Sequence, residues 1–94
     1  MNKNKLRYAI LKEIENGNRS FNYNVFSVEK EDFEDQIRFL GTQGFINGVL
    51  YADDTVYSLS QVVITLEGEK FLEQNAPWSK FYNGLKEIKD FIKF

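Results

Sequence analysis

Apolar residues recur at helical spacing near the start of the chain. Leu6, Ala9, Ile10 and Ile14 share one stripe, widened by Tyr8 and Leu11. Asn16-Gly17-Asn18 closes that segment, because glycine accepts the left-handed conformation of a helix end. A second stripe, Phe33, Ile37 and Leu40, predicts a helix capped by Ser27 and ended by Gly44. Its first turn holds Glu29, Glu31 and Asp32, where the helix dipole favours negative charge. From Phe45 the period shortens. Phe45 to Tyr51 reads as a strand bulged at Gly48, Asp53-Asp54 as a turn, and Val56 to Ile64 as the returning strand. Ser58-Leu59-Ser60-Gln61 fits either a continuation of that strand or an excursion from it. Thr65 caps a third helix whose Leu66, Phe71 and Leu72 face inward, and Asn75-Ala76-Pro77 ends it. Pro77 suits the first turn of a last helix with Trp78, Phe81, Tyr82, Leu85, Ile88 and Ile92 on one stripe. Asn83-Gly84 weakens that helix, the glycine alone by about 1 kcal/mol relative to alanine, and marks a place for a kink.

Residues 19–26 satisfy two patterns. Alternating Phe21, Tyr23 and Val25 suggest a short strand, while Asn22 and Asn24 suit a single helical turn. The element order is therefore helix, short element, helix, hairpin, helix, helix. This order describes one α+β domain over residues 1–94: a winged helix-turn-helix-like arrangement with one β-hairpin wing and an extra C-terminal helix. In it, residues 19–26 take the place of a short second helix, and the helix ending at Gly44 is the recognition helix.

Two runs carry a resemblance. Ile37-x-x-Leu40-x-x-x-Gly44-Phe45-Ile46 is similar to the junction of recognition helix and wing in winged-helix regulators. Ile64-Thr65-Leu66-x-Gly68-x-x-Phe71-Leu72 resembles the strand-to-helix joint of the same group. Over its whole length the chain resembles the YjcQ family of small bacterial and prophage-associated proteins. That resemblance implies a winged-helix-like fold and no established activity, and it transfers no functional residue.

Composition narrows the chemistry. The 94 residues contain no cysteine and no histidine, which removes disulfides, thiol nucleophiles, imidazole acid–base chemistry and zinc sites of the usual ligands. Gly41, Gly44 and Gly48 have the spacing of turns, not of a phosphate loop or dinucleotide fingerprint. Carboxylates alone support glycoside hydrolysis, but a domain this small scarcely builds the cleft. The chain is expected not to be an enzyme and to need no cofactor. No apolar run approaches the roughly 20 residues that span a bilayer, and the start lacks a signal peptide's apolar stretch, so a cytoplasmic location is expected.

Charge is distributed unevenly. Residues 27–44 hold Glu29, Glu31, Asp32, Glu34 and Asp35 against Lys30 and Arg38, a net −3, and residues 45–64 hold only Asp53 and Asp54. DNA binding rests on neutralising phosphates with Lys and Arg, so these signs oppose it at the expected recognition helix and wing. Arg38 alone has the chemistry to read a guanine edge. Most simply, the acidic run is a solvated helix face; functionally, it is a surface for a basic protein partner. The candidate contact residues on that face are Glu31, Asp35, Arg38, Phe39 and Thr42. Phe39 reads first as a lid over the neighbouring short helix, and otherwise as an interface anchor. Metal binding by these carboxylates is not expected, since a helix surface does not wrap a cation. Lysines cluster toward both ends, and the stripe from Trp78 to Ile92 packs either on the first helix or in the seam of a weak homodimer. The expected function is thus a non-enzymatic interaction domain for a protein partner. The alternative is a DNA-binding transcriptional regulator of bacterial or prophage origin.

Overall fold

Helix α1 (Lys3–Glu15) is the hub of the computed structural model, which describes Met1–Phe94. Its apolar positions run around most of its circumference, so it buries Leu6, Tyr8, Ala9, Ile10, Leu11 and Ile14 beneath elements on several sides. Helices α2 (Lys30–Thr42), α3 (Leu66–Gln74) and α4 (Ile88–Ile92) all pack on it, together with strand β4 (Val63–Ile64). The expected α+β, winged-helix-like order of helix, hairpin and helix is present.

The segment before α2 departs from expectation. Residues 19–26 form neither a strand nor a second helix but turns over Tyr23–Ser27. The Asn22 side chain accepts from the Asn24 amide at 2.9 Å, an Asx turn that competes with regular structure. Phe21 and Phe26 are buried against Phe33, with ring centroids 5.3 to 6.3 Å apart. Inward residues five positions apart fit a turn, not the strand suggested by alternation. Ser27 is consequently not the cap of α2. It sits at φ +58° inside the turn, and the helix begins after Glu29, whose side chain makes no capping bond.

The hairpin is split in two. β1 (Ile46–Asn47) pairs antiparallel with β4, while β2 (Leu50–Ala52) pairs with β3 (Thr55–Ser58). The break is at Gly48, at φ +95°, where a Cβ would lie 2.5 Å from the Gln61 carbonyl oxygen, so only glycine fits. The returning excursion buries Leu59 and closes with a Val62-to-Leu59 bond of 3.1 Å. Asp53 and Asp54, at φ +52° and +62°, form the two-residue turn whose twist matches that of the strands.

The two runs singled out in the sequence interlock. The Thr65 side chain accepts from the Gly68 amide at 3.1 Å and donates to the Gly44 carbonyl at 2.5 Å. Its own amide donates to the Phe45 carbonyl at 3.0 Å. Leu66, expected inside, is instead 66% exposed. The first turn of α3 presents Gly68, not Leu66, to the Gly44-Phe45 strand joint, which leaves Leu66 outside.

The single last helix expected from Pro77 does not form. Ala76–Lys80 and Leu85–Glu87 are 3₁₀ turns, separated by Gly84 at φ +85° and ψ −172°, and only Ile88–Ile92 is α-helical. The expected stripe therefore does not lie on one helix. Ile88 and Ile92 are buried, Trp78, Tyr82 and Leu85 are half-buried, and Phe81 is 66% exposed. This segment folds back onto α1: Trp78, Tyr82 and Phe91 surround Tyr8 with centroids 5.7, 6.1 and 5.8 Å away. The Asn2 amide donates to the Ile92 carbonyl at 2.7 Å, tying the two ends together. No helix is long and apolar enough to cross a membrane.

Candidate functional site

Helix α2, the Ile46–Val49 segment and the β2–β3 hairpin line an open groove of ≈ 620 Å³. Two α2 side chains hold the hairpin in place. Glu34 is 8% exposed, and its carboxylate accepts from the Thr55 hydroxyl at 2.6 Å and the Val56 amide at 3.3 Å. It thereby covers a backbone donor at the edge of β3 that would otherwise invite another strand. One turn later, the Arg38 guanidinium donates to the Asp54 carbonyl at the hairpin tip. It also lies 3.7 Å from both the Glu34 and Asp35 carboxylates and 5.8 Å from the centre of the Tyr51 ring. Burial raises the Tyr51 phenol above its ordinary pKa.

The expected contact residues separate accordingly. Arg38 and Thr42 line the groove with Gly41, Tyr51 and Asp54, and exposed Asp35 sits beside Arg38. Glu31 is exposed in the first turn, outside the groove. Phe39 points elsewhere. It lies under the Arg7 guanidinium, 3.5 Å from the ring centre, and edge-on to Phe45 at 6.3 Å. It is packed against Arg7 and Phe45 and is not the expected lid over a neighbouring short helix, because residues 19–26 form turns and no such helix. Arg7 is further bonded to Gln36 at 2.7 Å and Asn4 at 3.0 Å, and its burial lowers its pKa.

Besides Arg7, charged residues with structural roles that were not singled out from the sequence include Glu34, Arg19 and the buried Glu13, which is bonded to Asn18 and Tyr82. Glu34 was counted among the solvated acids, although its position three residues before Ile37, at the margin of the buried stripe, was a signal. Arg19 donates to the Val62 carbonyl at 2.8 Å and the Ile14 carbonyl at 2.7 Å, joining the end of α1 to the hairpin. That pairing spans 43 positions and leaves no local pattern.

The groove is lined by one cation, Arg38, and one acid, Asp54, and Arg19 and Lys30 line a second cleft with Glu34, Val56 and Tyr57. From Phe39 to Glu69 the chain contains no lysine or arginine, while Asp53, Asp54, Glu67 and Glu69 are all exposed. Leu50, Tyr51, Tyr57 and Val63 are exposed on the same hairpin at 43, 45, 73 and 53%. The hairpin thus offers exposed apolar and aromatic contact area and carries no cation of its own to hold a phosphate backbone.

A family model described as "YjcQ protein" matches residues 4–91. The chain belongs to the YjcQ family. It is 48% identical over 95 residues to "Uncharacterized protein YjcQ" of Bacillus subtilis (strain 168), covering 99% of this chain and 100% of that protein. No solved structure matches the chain. The YjcQ match runs from within α1 to within α4, so the groove and the hairpin belong to the family's domain and are not an appendage.

Proposed function

We propose that this YjcQ-family chain is a non-enzymatic interaction domain whose α2–hairpin side binds a protein partner. The observation that supports this most directly is the state of Arg38. The helix and hairpin that would face DNA in a winged-helix regulator have this one cation at their groove, and it is already bonded to the Asp54 carbonyl beside two carboxylates. Releasing it to a guanine or a phosphate would leave Asp35 and Glu34 without their cation. Exposed Leu50, Tyr51 and Tyr57 supply instead the apolar and aromatic area on which protein interfaces are anchored. A cytoplasmic partner with a basic, partly apolar surface suits this side.

Fluorescence anisotropy against mixed-sequence duplex DNA at low salt tests the reading, with affinity capture from a lysate of the native host alongside it. The expected result is no DNA binding, and a retained protein that is lost when the bait carries Asp35→Lys and Tyr57→Ser. Tight duplex binding that weakens steeply with salt, and is abolished by Arg38→Ala, would establish the regulator instead.

A further inference from the structure

Three Asn-Gly pairs occur in the chain, Asn16-Gly17, Asn47-Gly48 and Asn83-Gly84, and all three asparagines are exposed. Glycine places no side chain beside its amide nitrogen, so that nitrogen can reach the carboxamide carbon of a preceding asparagine. Ring closure needs rotation about the asparagine Cα–C bond until the glycine nitrogen lies over Cβ. The fold opposes this at two of the pairs. Asn16 has ψ 1°, so the Gly17 nitrogen eclipses Asn16's own nitrogen, and the Gly17 amide donates to the Ile14 carbonyl at 3.0 Å. Rotation there would break that bond and the backbone bond of 2.9 Å from Asn18 to Glu13. Asn47 is paired with Val63 across β1 and β4, and Gly48 lies so near the Gln61 carbonyl oxygen that a Cβ would be 2.5 Å from it. Asn83 has neither restraint. It stands outside any regular element, between the two 3₁₀ turns, with no hydrogen bond to its side chain or to the Gly84 amide. A Cβ added at Gly84 would meet nothing within 4 Å, which leaves the backbone room to turn.

We propose that Asn83 is a self-modification site of the folded chain, where the asparagine converts to aspartate and isoaspartate. The Gly84 nitrogen gives its proton to solvent and attacks the Asn83 Cγ. The new N–Cγ bond forms as the Cγ–Nδ2 bond breaks, and the side-chain nitrogen leaves as ammonia. Water then opens the succinimide ring, and no oxidant or reductant takes part. Opening at the side-chain carbonyl gives aspartate. Opening at the main-chain carbonyl gives isoaspartate, whose backbone runs through Cγ and is longer by one carbon. Either product adds a carboxylate to the cleft that Asn83 lines with Lys5, Phe81, Glu87, Asp90 and Phe91, where one lysine already serves two acids. The longer backbone falls between Tyr82, bonded to Glu13, and Phe91, packed on Tyr8. Both changes loosen the hold of the C-terminal segment on α1.

Peptide mapping by mass spectrometry tests this on the full chain, aged at mildly alkaline pH both in native buffer and in concentrated urea. Each conversion raises the peptide mass by about one dalton, and electron-transfer fragmentation separates isoaspartate from aspartate. In urea the three pairs should react at similar rates. In the folded chain Asn16 and Asn47 should slow about tenfold or more, because each needs a local opening, whereas Asn83 should slow less than about threefold. Asn83→Ser cannot form the ring and controls for every other effect of ageing. Aged wild type should melt below fresh protein, and aged N83S should not. Freshly made N83D should show part of the same loss, through charge alone. An Asn83 protected as strongly as the other two, or an Asn16 or Asn47 that reacts as fast as Asn83 in the folded chain, overturns the assignment. Equal losses of melting temperature in aged wild type and aged N83S overturn the loosening of the C-terminal segment.

Discussion

Replacing Gly68 with alanine tests the joint on which the hairpin and α3 depend. At most helix positions this change stabilises, by up to about 1 kcal/mol, because alanine loses less backbone entropy on folding. At Gly68 a Cβ would lie 2.3 Å from the Phe45 carbonyl oxygen and 2.7 Å from the Ile64 Cγ1. The first of these is backbone and cannot rotate away. Relief requires α3 to move from β1, which stretches the Thr65–Phe45 bond of 3.0 Å and the Thr65–Gly44 bond of 2.5 Å. Overpacking of this kind costs about 1–3 kcal/mol, and weakening two hydrogen bonds adds about 1 kcal/mol. After the propensity gain, the net loss is about 1–3 kcal/mol. A domain of this size should then melt roughly 4 °C or more lower for each kcal/mol lost. Gly41→Ala is the matched comparison: it lies in α2, with no atom within 4 Å of the added Cβ and no positive φ. It should stabilise by up to about 1 kcal/mol. Urea unfolding of the two variants, at unchanged m-value, reads both signs. If G68A is as stable as G41A, the close approach of α3 to Phe45 is not present in solution, and the argument for the joint fails.

Three further outcomes follow from single contacts. Asp54→Gly should raise stability by about 0.5–1 kcal/mol in urea melts, because glycine occupies the left-handed φ of +62° without strain; a loss would show that the Asp54 side chain contributes more than its conformation costs. Glu34→Ala should cost about 2–3 kcal/mol, since it removes a charged acceptor from the Thr55 hydroxyl and the Val56 amide; a change within about 0.5 kcal/mol would place Glu34 with the solvated acids. The Tyr82 phenol, held well above its ordinary pKa by burial and by its bond to the Glu13 carboxylate, favours folding while it stays protonated. Its contribution is present below the unfolded phenol's pKa of about 10 and is lost as pH rises through the folded value. Tyr82→Phe should therefore lower stability at neutral pH by about 1–2 kcal/mol and flatten the alkaline decline, and an unchanged pH profile would count against the contact.

What the sequence made legible is what local geometry controls. The α1 stripe, the glycine that ends α2, the Asp53-Asp54 turn and the Thr65 cap each depend on residues within about one turn of each other. What escaped depends on distant partners. The Phe21–Phe26 turn is shaped by Phe33, on another element, and its alternation imitates a strand. Leu66 is placed outside because Gly68 must meet Phe45, some twenty positions earlier. The apolar stripe from Trp78 to Ile92 suits a helix, but Gly84 turns left-handed and lets both halves reach Tyr8. The candidate site divided in the same way. Arg38 and Thr42 were found because they share the exposed face of α2, whereas Glu34 was not, because its partners lie about 21 positions away on β3.

That division changes what the acidic count means. The net −3 of residues 27–44 is not all available to a partner. Glu34 is buried and bonded to the hairpin, and Glu31 and Asp32 stand in the first turn of α2, where the helix dipole favours them. Asp35 is close to Arg38. Several of these acids thus have a structural reason to be acidic, and their sum is weak evidence for any ligand. The stronger evidence is a different quantity, the absence of any lysine or arginine from Phe39 to Glu69. No folding role requires that absence, since exposed Tyr57, Gln61 and Val63 would each tolerate a lysine. A surface that must meet phosphate would use such positions for cations. One that meets a basic, partly apolar protein surface is better without them, because each cation there would repel the partner's own.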